Sequence, residues 1–566
     1  MKMFNWLVLA SVFSGVSITG LWVNSVESAA RLEIAGIGPT ATPTPNSTSR
    51  PRQAQTATPS PTPSPVAVQT PAPTPVAVQT IEELQSKIRQ RLFAPEVRRG
   101  RVGVKVVSLN SGKVIFENDS DKYFMPASNM KNFTVAAALE KLGADFKFVT
   151  SVYANSLPDP TGTIKGDLRV YGRGDVSIST AFNNGDYYKG IDNLVDKIAA
   201  AGVKRIEGSI VGDESYFKGF YIPGTWEWDD LQAYYGAEVT ALPINDNAVD
   251  ISVMPGANGS PCIVTISPAN SLFQINNLCT TGSSSRELSV VKKIDRNVID
   301  VSGWLPVGNS GFRSSIAITK PAELFVALLK QRLELRGITI TGASRLQPQT
   351  ITADPAQIEI AKLESVPFSV IAAKTMKPSQ NMFTETILWT LGVETYLREK
   401  RGTIPSVSDG AKWISPRPPA DSSVLGINAV KAFLKEIGAA DDGILQYDGS
   451  GLSRHDLITP SAVITLYTYM TKQSKYAKEW RDSLTIAGVD GTLANRLKGT
   501  AAEANFRGKT GTIDQVSALS GYMTTAAGEQ VVVSIIVNNV GGVTRTRTSL
   551  ADDIVVALAN FNGKID

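Results

Sequence analysis

Three short stretches of this 566-residue chain carry side chains that together could perform acyl transfer. The first is Pro126-Ala127-Ser128-Asn129-Met130-Lys131, which runs into Asn132 to Leu142. Phe133, Ala136, Ala137, Leu139 and Leu142 recur at helical spacing, and Gly143 ends the run. Ser128 therefore opens a helix and Lys131 lies one turn on. Positions three apart share a helix face, so the hydroxyl and the amine can meet. Alone, S-x-x-K arises by chance in long chains, and such a serine is an ordinary N-cap. The second stretch is Lys377-Pro378-Ser379-Gln380-Asn381-Met382, ahead of the helical run Phe383 to Leu391. Its hydroxyl and amide could shuttle a proton and hold a substrate amide; taken alone it is a helix entry capped by Ser379. The third is Phe506-Arg507-Gly508-Lys509-Thr510-Gly511-Thr512. A phosphate-binding loop needs a glycine where Glu503 stands, and a strand-to-helix turn where this run reads as a strand. As an edge strand it could pair with a bound peptide's backbone, with Lys509 and Thr510 facing a carboxylate.

The elements that must position these groups follow from periodicity. Ile81 to Phe93 has helical spacing. Val102 to Ser108 and Lys113 to Glu117 are strand-like around an Asn110-Ser111-Gly112 turn. Strand-like Val516 to Thr524 and Val531 to Asn538 follow the third stretch, and a helical run Thr548 to Phe561 comes last. From about 161 to 350 the texture changes: strand-like runs such as Thr163 to Tyr171, Ile206 to Gly212, Val249 to Met254 and Cys262 to Ser267 alternate with Gly, Asn and Pro turns. This reads as a mostly β insertion between a first catalytic part, 81–160, and a second, 351–566.

Residue counts restrict the chemistry further. One histidine and two cysteines exclude zinc sites built on several such ligands, and no metal or cofactor is expected. A net charge of +4 without a basic cluster excludes nucleic acid as a partner. A Ser-His-Asp triad could use only His455, which lies in a Gly-Ser loop between Arg454 and Asp456, where a structural or surface role is expected. Lys2, the apolar run Phe4 to Val23 and small residues at Ser28-Ala29-Ala30 form an export signal over 1–30, either cleaved or kept as an anchor. The Pro/Thr-rich stretch 31–80, with an imperfect ten-residue repeat from Pro61, cannot bury enough apolar surface to fold and reads as a spacer. The expected location is the periplasm or cell envelope, with membrane contact only through an uncleaved N-terminus. In an exported protein Cys262 and Cys279, close in sequence, suggest a disulfide worth about 3 kcal/mol; the alternative is two buried thiols.

S-x-x-K, S-x-N and K-T-G in this order are the signature of penicillin-recognising serine enzymes. The chain resembles the exported D-alanyl-D-alanine carboxypeptidase/endopeptidase family, the class C low-molecular-mass penicillin-binding proteins. Asp448-Gly449-Ser450-Gly451-Leu452-Ser453-Arg454 and Ala487-Gly488-Val489-Asp490-Gly491-Thr492-Leu493 look familial, as do Gly212-Asp213-Glu214-Ser215-Tyr216-Phe217 and Ala241-Leu242-Pro243-Ile244-Asn245-Asp246-Asn247. The resemblance spans about residues 83–566. It implies an α/β (α+β) transpeptidase-like domain, an antiparallel sheet flanked by helices, with one or two β-rich domains inserted. It implies a serine DD-peptidase acting on peptidoglycan peptides and acylated by β-lactams. Ser128 is then the nucleophile, Lys131 the base, Ser379 the relay to the leaving amine and Asn381 the holder of the peptide amide. Lys509, Thr510, Gly511 and Thr512 line the substrate, with the N–H groups of Ser128 and Thr512 as the oxyanion hole. A free lysine titrates near ~10.4, so a neutral Lys131 near pH 7 costs roughly 4 kcal/mol, with burial and the charge of Lys509 expected to push that way. The resemblance also implies that Asp213 and Arg454 meet the amine and carboxylate of a diaminopimelate side chain; a local ion pair is the alternative for each. A β-lactamase and a non-catalytic wall-binding protein share this scaffold. The large insertion and the absence of an obvious acidic deacylation base after Ser379-Gln380-Asn381 oppose the first; the intact polar residues oppose the second.

Overall fold

The structure, a computed structural model, describes residues 77–282, 284–347, 357–400 and 420–565. The expected export signal and nearly all of the expected spacer lie outside the described residues. Among the described residues no helix is long and apolar enough to cross a membrane.

The catalytic part begins with helix α1 (Ile81–Leu92), started by a capping box between Thr80 and Glu83. A hairpin of β1 (Arg101–Ser108) and β2 (Val114–Asn118) follows, then α2 (Lys131–Leu142). After the insertion come α3 (Phe368–Met376), α4 (Asn381–Lys400), α5 (Ser422–Glu436) and α6 (Pro460–Lys472). Strands β3 (Thr485–Ile486), β4 (Arg507–Ile513), β5 (Val516–Thr524) and β6 (Gln530–Asn538) and helix α7 (Thr544–Ala559) complete it. The sheet order is β3-β4-β5-β6-β1-β2, antiparallel throughout, so the first hairpin joins the last three strands as expected. The two-residue β3 was not anticipated; it is too short to leave a periodic signal.

The central strands β5 and β6 are buried on both faces, which is why β6 reads as a continuous apolar run. On β6, Val531, Val533, Ile535 and Val537 pack into the core that holds α1 and α7, while Val532 and Ile536 point into the core of the helical layer. Helix α2 is buried on nearly every side, Phe133 through Leu139 having no exposed residue, and it forms the centre of that layer. A 3₁₀ turn, Ala127–Met130, joins it at its N-terminus, and this turn lies against β4 and β5. Ser128 is therefore held between the helical layer and the sheet.

The insertion is built on a five-stranded sheet in the order 344–346, 210–213, 168–171, 149–154, 358–364. Its entry strand Val149–Ala154 pairs antiparallel with its exit strand Ile358–Glu364, because a chain that leaves and returns at one point brings its two ends together. This sheet thus extends beyond 161–350. Helices Lys189–Ala200 and Pro321–Leu335 pack on it, more helix than the turn-rich texture suggested. Two further three-stranded sheets, drawn from 248–317, enclose a small core of Ile251, Val253, Ile299 and Val301. The Cys262–Cys279 disulfide lies in that core, with its Cα atoms 5.3 Å apart.

Candidate active site

Ser128 is half-buried in the 3₁₀ turn that leads into α2, preceded by Ala127 at φ 45°, a left-handed conformation that costs a non-glycine residue about 1–3 kcal/mol. The surroundings hold it there. A Cβ on Gly451 would lie 1.8 Å from the Ala127 carbonyl oxygen, so only glycine lets that loop approach. A Cβ on Gly511 of β4 would lie 2.6 Å from the Pro126 carbonyl oxygen and 3.1 Å from Ser128 N. The K-T-G strand therefore runs directly past the backbone of the serine. Strand β3 pairs with β4 only at Arg507 and Gly508, so the edge of β4 from Lys509 onward faces the cleft without a strand partner among the described residues.

Lys131 is fully buried, and its Nζ lies 3.0 Å from Ser128 Oγ, 2.6 Å from Asn381 Oδ1 and 2.8 Å from the Ser450 carbonyl oxygen. Burial lowers its pKa to about 7, against the opposing charges of Asp448, Glu385 and Asp456. Burial, helped by the charge of Lys131, holds Lys509 well below the ordinary lysine range, and the repulsion between the two amines is mutual. Lys509 Nζ lies 2.8 Å from Ser379 Oγ and 2.9 Å from the Thr510 carbonyl oxygen. Ser379 has φ 67° in the turn between α3 and α4. Asn381, the first residue of α4, donates through Nδ2 to the Tyr235 carbonyl oxygen of the insertion, 2.9 Å away. Thr510 Oγ1 donates to Thr492 Oγ1 at 2.7 Å, and Thr512 is exposed.

The structure thus brings Ser128, Lys131, Ser379, Asn381, Lys509, Thr510 and Gly511 to one cleft. Asp213 is a different matter. It is buried in the insertion's sheet, where Oδ2 accepts from Arg169 at 2.8 Å and Oδ1 from the Ser215 N–H at 2.8 Å. Both carboxylate oxygens are occupied, and the local ion pair is what is found. Arg454 does lie at the rim, 2.9 Å from Glu227 Oε2, and it donates to the Asp514 carbonyl oxygen just beyond β4. The acidic partners near it come from the 227–235 segment: Glu227, and Asp230, which is hydrogen-bonded to Tyr235 and lies within the field of Arg454. Nothing in that segment's sequence distinguished these carboxylates from others in loops. His455 is exposed and packs edge-on against Tyr447, with ring centroids 5.5 Å apart.

Behind Lys131 lies a set of buried carboxylates that sequence reasoning did not assemble. Glu385 accepts from the Gly449 N–H at 3.0 Å and the Ser450 N–H at 2.8 Å. Asp448 accepts from the Gly451 N–H at 2.6 Å, the Ser453 N–H at 2.8 Å and Trp226 Nε1 at 2.8 Å. Burial and the charge of Asp448 hold the Glu385 and Asp456 carboxyls above the usual range. Together Glu385 and Asp448 satisfy the N–H groups of Gly449, Ser450, Gly451 and Ser453, beside the Ser450 carbonyl that meets Lys131. The period-matching clue was the D-G-S-G stretch; its partner Glu385 sits one turn into α4 with no local mark.

A half-buried serine beside a buried lysine of lowered pKa, at the open edge of an antiparallel sheet, defines an active-serine acyl-transfer enzyme. The chain belongs to the D-Ala-D-Ala carboxypeptidase 3 (S13) family, whose profile it matches over residues 84–404 and 416–560. It is 32% identical over 496 residues to a D-alanyl-D-alanine carboxypeptidase of an Actinomadura species, covering 85% of this chain and 86% of that one. It is 28% identical to a D-alanyl-D-alanine carboxypeptidase DacB of Haemophilus influenzae, over 76% of this chain and 84% of that one. Its fold superposes on the crystal structure of penicillin binding protein 4 from Haemophilus influenzae with a TM-score of 0.69 at 25% identity, covering 86% of this chain and all of that one.

Proposed function

We propose that this serine-type D-Ala-D-Ala carboxypeptidase cuts the terminal D-Ala, or a D-Ala-linked cross-bridge, from peptidoglycan stem peptides in the periplasm or cell envelope, through an acyl-enzyme on Ser128. The observation that carries the mechanism is the set of partners around Lys131 Nζ. A neutral amine has two N–H donors and one lone pair. Asn381 Oδ1 and the Ser450 carbonyl can only accept, so they take the two donors. In that form the lone pair is left for Ser128, whose hydroxyl can donate as well as accept. The charged form is satisfied too, its third N–H going to Ser128 Oγ; the pKa of about 7 is what leaves a neutral Lys131 available near neutral pH.

In acylation the Ser128 O–H proton passes to Lys131 Nζ as Ser128 Oγ bonds to the D-Ala carbonyl carbon. The oxyanion is met by the N–H groups of Ser128 and Thr512. As the C–N bond breaks, Ser379 passes a proton to the leaving amine and takes one from Lys509, which it touches. The terminal carboxylate binds against Lys509 and Thr510. Its arrival favours the protonated form of Lys509 and so loads the relay when substrate is present. Asn381 holds the peptide amide; water then attacks the acyl carbon, its proton passing through Ser379 to the neutral Lys509 while Lys131 returns its proton to Ser128 Oγ, and the shortened peptide leaves. Arg454 with Glu227 and Asp230, in place of Asp213, suits a side chain ending in both a carboxylate and an amine, as in diaminopimelate.

The β-lactamase reading requires a free base for rapid deacylation. Glu385 does not supply one, because its oxygens are engaged by the 449–450 backbone. Intact mass followed over time after addition of penicillin tests the proposal. A long-lived adduct on the Ser128 peptide, absent in Ser128→Ala, is expected. An adduct that vanishes within seconds would mean a β-lactamase, and no adduct a wall-binding protein.

A further inference from the structure

The Ile244-Asn245-Asp246-Asn247 turn of the insertion has φ values of 45°, 61° and 54° at its last three residues. Such a run of left-handed residues is costly, and Asn and Asp are the non-glycine types that tolerate it. The two asparagines spend their side chains within the insertion. Asn245 accepts from the Thr180 N–H at 2.9 Å and donates to the Tyr187 carbonyl at 2.8 Å. Asn247 accepts from the Ile244 N–H at 2.9 Å and donates to the Glu238 carbonyl at 2.8 Å. The middle residue points out of the domain. Asp246 Oδ1 accepts from Ser179 Oγ at 2.9 Å, and Oδ2 accepts from Gln380 Nε2 at 3.0 Å.

Gln380 stands between Ser379 and Asn381. Its own N–H donates to the Thr375 carbonyl at 2.9 Å, and its side chain is buried. Its Oε1 has no hydrogen-bond partner among the described residues. Only the carboxylate of Asp246 therefore dictates which way the amide faces, and a bond to an ionised acceptor offsets the unpaired oxygen. The next residue back, Ser379, is itself left-handed at φ 67° and meets Lys509 Nζ at 2.8 Å. We propose that Asp246 is a positioning residue for catalysis: through Gln380 it locks the left-handed backbone that presents Ser379 to Lys509. With the Tyr235 carbonyl on Asn381, it makes the insertion part of the support of the reacting groups rather than a substrate-facing appendage.

This rests on the relay role proposed for Ser379. The test compares second-order acylation by penicillin, per folded molecule, in Asp246→Gly, Asp246→Asn, Gln380→Ala, the Asp246→Gly/Gln380→Ala double variant and Ser379→Ala, with thermal unfolding of each. Glycine keeps φ 61° accessible while removing the carboxylate. Asparagine keeps an acceptor for Gln380. Acylation is expected to fall about tenfold or more in Asp246→Gly, the scale of misplacing a reacting group, and to stay within about threefold in Asp246→Asn. The double variant should be no slower than Gln380→Ala, because the two residues act through one bond. A normal rate in Asp246→Gly, or losses that simply multiply in the double variant, would overturn the inference while a slow Ser379→Ala left the relay intact. A normal rate in Ser379→Ala would remove both.

Discussion

If neutral Lys131 activates Ser128, the acylation rate must follow the ionisation of Lys131. With its pKa at about 7, roughly nine-tenths of the enzyme carries a neutral lysine near pH 8 and roughly one-tenth near pH 6. Penicillin acylation, read by rapid quench and intact mass, should therefore fall about tenfold between those two points and level off above about pH 8. An unperturbed lysine would give a rate still climbing about tenfold per pH unit beyond pH 9. That result, or a flat profile across the range, would refute the buried-base account. A second readout is independent of catalysis. The Lys131 pKa is lower in the folded than in the unfolded chain, so the unfolded state binds the extra proton between about pH 7 and about pH 10. Stability gained from this residue therefore rises with pH through that window and is lowest below it. The full span is about 5 kcal/mol at most, since burial in place of water is what moves the group from 10.5 to about 7. Unfolding of wild type against Lys131→Met, repeated across that window, should show the wild type gaining on the variant by up to that amount. A difference that does not change with pH would mean the amine is charged in the fold.

Other perturbations separate the site from its supports. Gly511→Ala drives a methyl group into the Pro126 carbonyl and the Ser128 N–H, so acylation should fall by about a hundredfold or more, with unfolding shifted far less. Arg454→Ala and Asp230→Asn should each raise KM about tenfold for peptides with a zwitterionic side chain while leaving penicillin acylation near normal. Asp213→Ala removes the buried ion pair with Arg169 and should lower stability in urea unfolding by about 3 kcal/mol, with acylation per folded molecule unchanged. Removing the Cys262–Cys279 bridge should cost about 3 kcal/mol, confined to the small 248–317 sheets, and leave the cleft untouched.

Much of the site was legible because its parts are local. Ser128 and Lys131 meet by helical spacing alone, and the strand that carries Lys509 to Thr512 announces itself by its neighbours β5 and β6. The hairpin that begins the sheet and the helix that closes it show in simple periodicity for the same reason. Asp213 shows the opposite case. A carboxylate in a familiar segment could serve a substrate or an arginine, and only the fold revealed Arg169 and the Ser215 N–H on its two oxygens. Glu227 and Asp230 reached the cleft with no local mark, because the insertion's path, not its composition, carries them to Arg454.

The order of S-x-x-K, S-x-N and K-T-G, with the side chains they contain, was determined by the sequence alone: the proposed nucleophile, base, relay and carboxylate binder are matters of residue type and short-range spacing. The tertiary structure decided which protonation state those groups hold and how firmly. The pKa of Lys131 falls because desolvation, a property of everything packed around it, outweighs the three carboxylates behind it. Ser379 reaches Lys509 because Asp246, 133 positions earlier, meets the neighbouring Gln380. Burial and long-range contact depend on the whole path of the chain, and no window of sequence contains that path.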